Sequence, residues 1–157
     1  MRYRPLPADL FIENRRRLAA QLPPGAVVIV TANDIPTTNA DGVTTFIQNS
    51  DLYYLSGVDQ EETVLILFPD APDPKHREML FLRETSEHIA VWEGEKLTKA
   101  QARERTGIDR VHWLQEFEVL FRGVMCQAGP VYLNTNEHPR AVIETDTREM
   151  RFVRRCQ

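Results

Sequence analysis

The run Val27-Val28-Ile29-Val30 constrains this chain more than any other feature. Every side chain in it is β-branched, stiff at χ1 and suited to extended backbone. No polar residue alternates with them, so neither face of the segment can meet water. It reads as a strand covered on both sides, which requires a layer of structure above it and another below. Pro23-Pro24-Gly25 stands immediately ahead and ends whatever precedes it. What precedes it has helical period. From Asp9 to Leu22, Phe11, Leu18 and Leu22 share one face, and Glu13, Arg15, Arg16 and Arg17 lie largely around the other, where the arginines meet solvent. A helix, a short loop and a buried strand place the chain in the α/β class.

Two further strands fit this frame, Thr63 to Phe68 and Met79 to Leu82. The proline-rich linker Pro69 to Pro74 between them cannot sit inside a sheet, so a hairpin joins them. With Ala26 to Thr31 they form the centre of a mixed sheet. Residues Thr31 to Thr45 are polar and turn-rich, connecting strands or forming a surface loop. Ser50 is placed as the N-cap of a short helix, Asp51 to Ser56, that Gly57 closes. Thr98-Lys99-Ala100-Gln101 has the form of a capping box, and Gly107 ends the helix it opens. Arg110 to His112 is a brief strand. Leu114, Phe117, Leu120, Phe121, Val124 and Met125 mark an amphipathic helix, followed by the short strand Val131 to Leu133. Thr147 to Gln157 has helical character and ends without a cap, as a chain cut at a domain boundary would.

With 157 residues and 42% hydrophobic content, the chain suits one domain with its own core. A formal charge of −4 argues against a general nucleic-acid binder. No segment approaches the ~20 apolar residues of a membrane span, and no secretory leader is evident. Cys126 and Cys156 are too few for a disulfide framework, which suggests a reducing cytoplasm, and Cys126 reads as a small buried hydrophobe. Phosphate loops, nucleophile elbows, CxxC pairs and HExxH are all missing. The histidines His76, His88, His112 and His138 are scattered, each a surface or structural residue. Three stretches stand out from scaffold: Asn39-Ala40-Asp41, Phe46 to Gly57, and Val91-Trp92-Glu93-Gly94-Glu95-Lys96-Leu97. Each also has a plain structural reading, with Tyr53 and Tyr54 as core aromatics and Trp92 as a plug at the sheet edge.

Read in order, these segments resemble the N-terminal domain of Xaa-Pro aminopeptidases (aminopeptidase P), in the creatinase/prolidase metallopeptidase family. The resemblance is carried by Asn14-Arg15-Arg16-Arg17-Leu18, the Leu-Pro-Pro-Gly-Ala break, Asn39-Ala40-Asp41, Gln48 to Gly57, and Trp92-Glu93-Gly94-Glu95-Lys96-Leu97. It runs from about Leu10 to Leu133. Ile47 departs from it, because the family often has arginine between the aromatic residue and the glutamine.

The resemblance implies a ribonuclease H-like mixed sheet flanked by helices. It implies that residues 1–157 are a single non-catalytic N-terminal domain, whose C-terminal pita-bread catalytic domain is absent from this chain. That second domain would carry two divalent metal ions, usually manganese, so no metal ligand and no catalytic residue is expected here. The implied partners are the chain's own catalytic domain, further copies in a homodimer or homotetramer, and a peptide substrate with proline in second position. Two residues match substrate-lining positions: Asp41, reaching for the substrate's α-ammonium group, and Trp92, walling the pocket. A dimerisation module on a catalytically inactive creatinase-like protein is the alternative. A stand-alone ribonuclease H-like enzyme fits poorly, because the acids lie mostly in turns or on helix faces.

Overall fold

The computed structural model describes residues 6–39, 42–85, 96–135 and 148–157. The β-branched run forms β1 (Val27–Thr31), and the next two aliphatic runs form β2 (Val64–Leu67) and β3 (Glu78–Leu82). The three are antiparallel neighbours, in register through Ile29 opposite Ile66 and Ile66 opposite Met79. β4 (Arg110–Trp113) lies parallel to β3 on one edge, and β5 (Val131–Leu133) lies parallel to β1 on the other. The order β4-β3-β2-β1-β5 is the mixed sheet expected, with the three aliphatic strands at its centre.

Alternation along the strands sends side chains to two separate cores. Val28, Val30, Leu65, Leu67, Leu80 and Leu82 face one layer. That layer contains Leu52 and Leu55 from α2 (Ser50–Ser56) and Ala102 from α3 (Lys99–Thr106). Leu18, from α1 (Ala8–Ala19), packs against the same core. Val27, Ile29, Val64, Ile66, Met79 and Phe81 face the opposite layer, formed by α4 (Phe117–Met125) and α5 (Arg148–Cys156). There the Phe117 ring stands edge-on to Phe81 and stacks on Phe121, and Phe152 of α5 closes over both.

Local signals hold closely. Thr98 and Gln101 make both limbs of the capping box. α2 starts one residue earlier than expected and its cap is Asn49, not Ser50: the Asn49 side chain accepts from the N–H groups of Asp51 and Leu52. An amide oxygen placed there satisfies two of the donors that a helix start leaves unpaired. α1 ends at Ala19, short of Leu22, with Pro23 soon after.

The arginine run is divided. Arg16 and Arg17 are exposed and share Glu13, whose carboxyl they hold down at about 2, Arg16 contributing most. Arg15, expected in solvent, is 1% exposed. Its guanidinium donates to the carbonyls of Leu55 (2.8 Å) and Thr106 (3.0 Å), at the C-terminal ends of α2 and α3. Its Nε lies 3.1 Å from Glu78 Oε1, off the hydrogen-bond axis, as an ion pair. Carbonyls at a helix C-terminus lack intrahelical partners and carry the negative end of the dipole, so one planar cation satisfies two such ends together.

Both helices stop the same way. Ser56 and Thr106 bond back to the carbonyl four residues earlier and accept from Val58 N–H and Ile108 N–H. Gly57 and Gly107 take φ near +70° between those residues. A Cβ on Gly57 would lie 2.2 Å from the Phe11 ring, so its absence lets α1 close on α2.

Candidate functional site

The stretch Phe46 to Gly57 separates into a scaffold and a surface. Gln48 turns its amide inward, donating to the carbonyls of Val58 (3.0 Å) and Gln60 (2.9 Å) and accepting from Asn49 N–H (2.8 Å). Asn33, just past β1, donates to Ile47 O (3.0 Å). Asn134, just past β5, accepts from Thr31 N–H (3.1 Å) and so continues the β1–β5 pairing through its side chain. These amides fix the loop and the start of α2 against the carboxyl ends of β1 and β5, where parallel strands of α/β sheets commonly present ligands.

What faces outward is different. Ile47 is 74% exposed, Tyr54 55% and Tyr132 45%. Tyr53 and Tyr54 are therefore not core aromatics, although Tyr53 sets its ring edge against Phe11. A cleft of about 330 Å3 runs past Ile47, Asn49 and Asp51 to Asn134. A more apolar groove of about 390 Å3, lined by Leu18, Val28, Tyr54 and Tyr132, meets it at Asp51 and Asn134. The two present one continuous face of apolar contacts and amide edges, with the Asp51 carboxylate and the Arg17 guanidinium on its lining.

Asp41 and Trp92, the two expected substrate-lining residues, lie outside the described residues, as do His88 and His138. The residues flanking Asp41 are paired: Thr37 bridges Val43, and Gly42 N–H donates to Asn39 O. His112 stacks on Phe81 and bonds Glu116. That histidine, the Trp113 N–H and Lys99, in that order, hold the Glu116 carboxyl down at about 2. Cys126 is exposed, not buried, because α4 ends at Met125, beyond the face that buries Phe117, Phe121 and Val124. Among the described residues no group of three His, Cys, Asp or Glu is placed to hold a metal ion, and no helix is long and apolar enough to cross a membrane.

Arg15 and Gln60 are the principal residues that sequence reasoning missed. Arg15 carried a signal, since it shares the helical face of Phe11, Leu18 and Leu22. Gln60 carried none.

The family model of the aminopeptidase P N-terminal domain matches residues 11–132. The chain is similar to the Xaa-Pro aminopeptidase of Escherichia coli K12, with 32% identity over 100 residues, 64% of this chain and 22% of that protein. It is similar to Xaa-Pro aminopeptidase 3 of Dictyostelium discoideum, with 28% identity over 128 residues, 80% of this chain and 24% of that one. Its fold matches the solved aminopeptidase PepP of Pseudomonas aeruginosa with a TM-score of 0.80 at 24% identity, covering 97% of this chain and 31% of the other. The chain thus spans about a quarter of the length of the curated relatives it matches.

Proposed function

The chain belongs to the aminopeptidase P N-terminal domain family, and from that premise we propose that it is the non-catalytic domain of a cytoplasmic, metal-dependent Xaa-Pro aminopeptidase or dipeptidase. The observation that carries the reading is the family match over residues 11–132. In this reading a C-terminal pita-bread domain holds two divalent metals, manganese in kind, and cleaves the residue preceding proline. In this reading the chemistry those ions supply belongs to that second domain.

The work of this domain is to build contacts between copies, in a dimer or tetramer, and to wall the substrate cleft. The outward face of Ile47, Tyr54 and Tyr132 supports the first role, because large apolar side chains grouped beside polar edges suit a protein contact. Asp41 and Trp92 serve the second. Asp41 receives the substrate's α-ammonium group, and Trp92 packs its indole against the proline ring and excludes water.

The test is kinetic and uses the full-length protein with an Xaa-Pro tripeptide and manganese. Trp92→Ala and Asp41→Asn are each expected to lower kcat/KM by about tenfold or more while the melting temperature changes by only ~2 °C. The 157-residue chain alone is expected to fold and give no turnover. Unchanged kinetics with a collapsed melting temperature would make both residues scaffold. Metal-dependent hydrolysis by the isolated chain would overturn the reading altogether.

A further inference from the structure

On the other side of the sheet from the Tyr54 groove, a cavity of about 380 Å3 opens between the strands, α4 and α5. Its floor is Thr31 and Val64, which face each other across β1 and β2. Alternation gives Thr31 the same face as Val27 and Ile29, so its hydroxyl stands among side chains that neither donate nor accept. The residue is 2% exposed, and its Oγ1 has no hydrogen-bond partner. Asn134 takes up the Thr31 N–H, so the hydroxyl alone is left over. Native folds seldom leave a buried hydroxyl unpaired, and one that lines a cavity has room for a partner there.

The opposite wall belongs to α5. Phe152 anchors that helix, its ring centroid 6.0 Å from Phe117 and 5.5 Å from Phe121. Arg148, Arg151 and Arg155, at helical spacing, then line the cavity together. Two of them have partners: Arg151 pairs with Asp34 at 2.8 Å, and Arg155 pairs with Glu118. Arg148 differs. It is half-buried, and among the described residues its side chain makes neither an ion pair nor a hydrogen bond. Burial pushes its pKa down, while the carboxylates of Glu62 and Asp34 pull the other way from beyond pairing distance. Both acids are engaged elsewhere, Glu62 3.7 Å from Arg83 and Asp34 with Arg151. A half-buried cation and a buried hydroxyl, both unpartnered, thus line one cavity.

We propose that this cavity binds a small organic anion, a carboxylate carried on an apolar body. Arg148 takes the carboxylate oxygens through its planar pair of donors, and the Thr31 hydroxyl donates to the same group. Val64, Leu114, Phe117 and Phe152 enclose the apolar body. A bare oxyanion would leave these carbon walls uncovered, whereas the volume is that of a small-molecule pocket. The site is independent of the peptidase reading, and no residue of it is given a role there.

The test titrates the 157-residue chain with hydrocinnamate and follows amide correlation spectra by NMR, which report position and affinity together. Shifts are expected at Thr31, Val64, Phe117 and Arg148, with Kd on the order of 1 mM. Arg148→Met is expected to raise Kd by ~10-fold or more, and Thr31→Val, which removes only the hydroxyl, by ~3- to 5-fold. Arg16→Met, on the opposite layer, is expected to leave Kd unchanged. The neutral hydrocinnamide and inorganic phosphate are each expected to bind at least ~10-fold more weakly than hydrocinnamate. Absence of shifts at these residues up to about 20 mM ligand, some twenty times the expected Kd, overturns the site. Binding undiminished in Arg148→Met, or shared equally by the amide, overturns it as well, and phosphate binding as tightly as hydrocinnamate overturns the apolar body. Because Arg148 has no partner to lose, Arg148→Met is expected to keep its melting temperature within ~2 °C of the parent. A fall of more than ~5 °C would mean that Arg148 already has its partner within the fold, and the proposal fails.

Discussion

Replacing Arg15 with methionine isolates the buried charge on which two helix ends converge. Methionine keeps most of the unbranched stem, so the loss is mainly that of the guanidinium and not of packing volume. Two buried carbonyls, Leu55 O and Thr106 O, then lose their donor, at about 1–3 kcal/mol each. Glu78 loses its ion pair as well, but its side chain is 40% exposed and water replaces the partner at little cost. The net destabilisation is expected to be about 2–5 kcal/mol, which at this chain length lowers the melting temperature by roughly 5–15 °C. Arg15→Lys, which reaches one carbonyl where arginine reaches two, falls near half of that. Arg16→Met is the control: its side chain is 70% exposed and its pairing with Glu13 is screened by solvent. Urea unfolding followed by far-UV circular dichroism measures all three, with unchanged slopes required for the comparison. If Arg15→Met and Arg16→Met agree within about 0.5 kcal/mol, the guanidinium does not bind these helix ends with any net benefit, and the reasoning fails.

Two glycines are expected to respond to alanine with opposite sign. Gly57→Ala is forced to φ +68° and into the Phe11 ring, costing about 2–4 kcal/mol, whereas Gly123→Ala, inside α4 with nothing within 4 Å of a new Cβ, gains about 0.5–1 kcal/mol. Equal responses in thermal melts would contradict that assignment. The Glu116 carboxyl, held at about 2 in the fold against an ordinary 4.5, contributes stability that is complete above pH ~4.5 and is lost as pH falls towards 2. Because its side chain is 44% exposed, that contribution is discounted to about 1 kcal/mol. Glu116→Gln is therefore expected to be less stable than the parent at pH 6 and nearly equal to it at pH 2.5, and a pH-independent gap in urea titrations would refute the pairing.

The sequence by itself determined whatever depends on residues close together along the chain. The aliphatic runs of β1, β2 and β3 are buried whichever layers cover them, since no rotation of an unalternated run hides it from water on one face alone. The capping box at Thr98 and the left-handed Gly57 and Gly107 have their partners within four residues, so the same window that contains the residue contains its reason. The family pattern was legible for a similar cause, being a string of such local signatures in a fixed order. Spacing places Arg15, and not Arg16 or Arg17, on the apolar face of α1, but only the tertiary structure decided that its charge is buried there. Arg15 meets its partners 40 and 91 positions away, and only the convergence of two helix ends on one point of α1 makes burying that charge favourable. Gln60 and Leu97 meet across 37 positions, and Asn134 and Thr31 across 103. The outward turn of Ile47 and Tyr54 was settled in the same way, because a side chain's exposure depends on which elements have already covered the surface beside it. A buried polar contact needs its partner to define it, and the partner's position is a property of the whole fold.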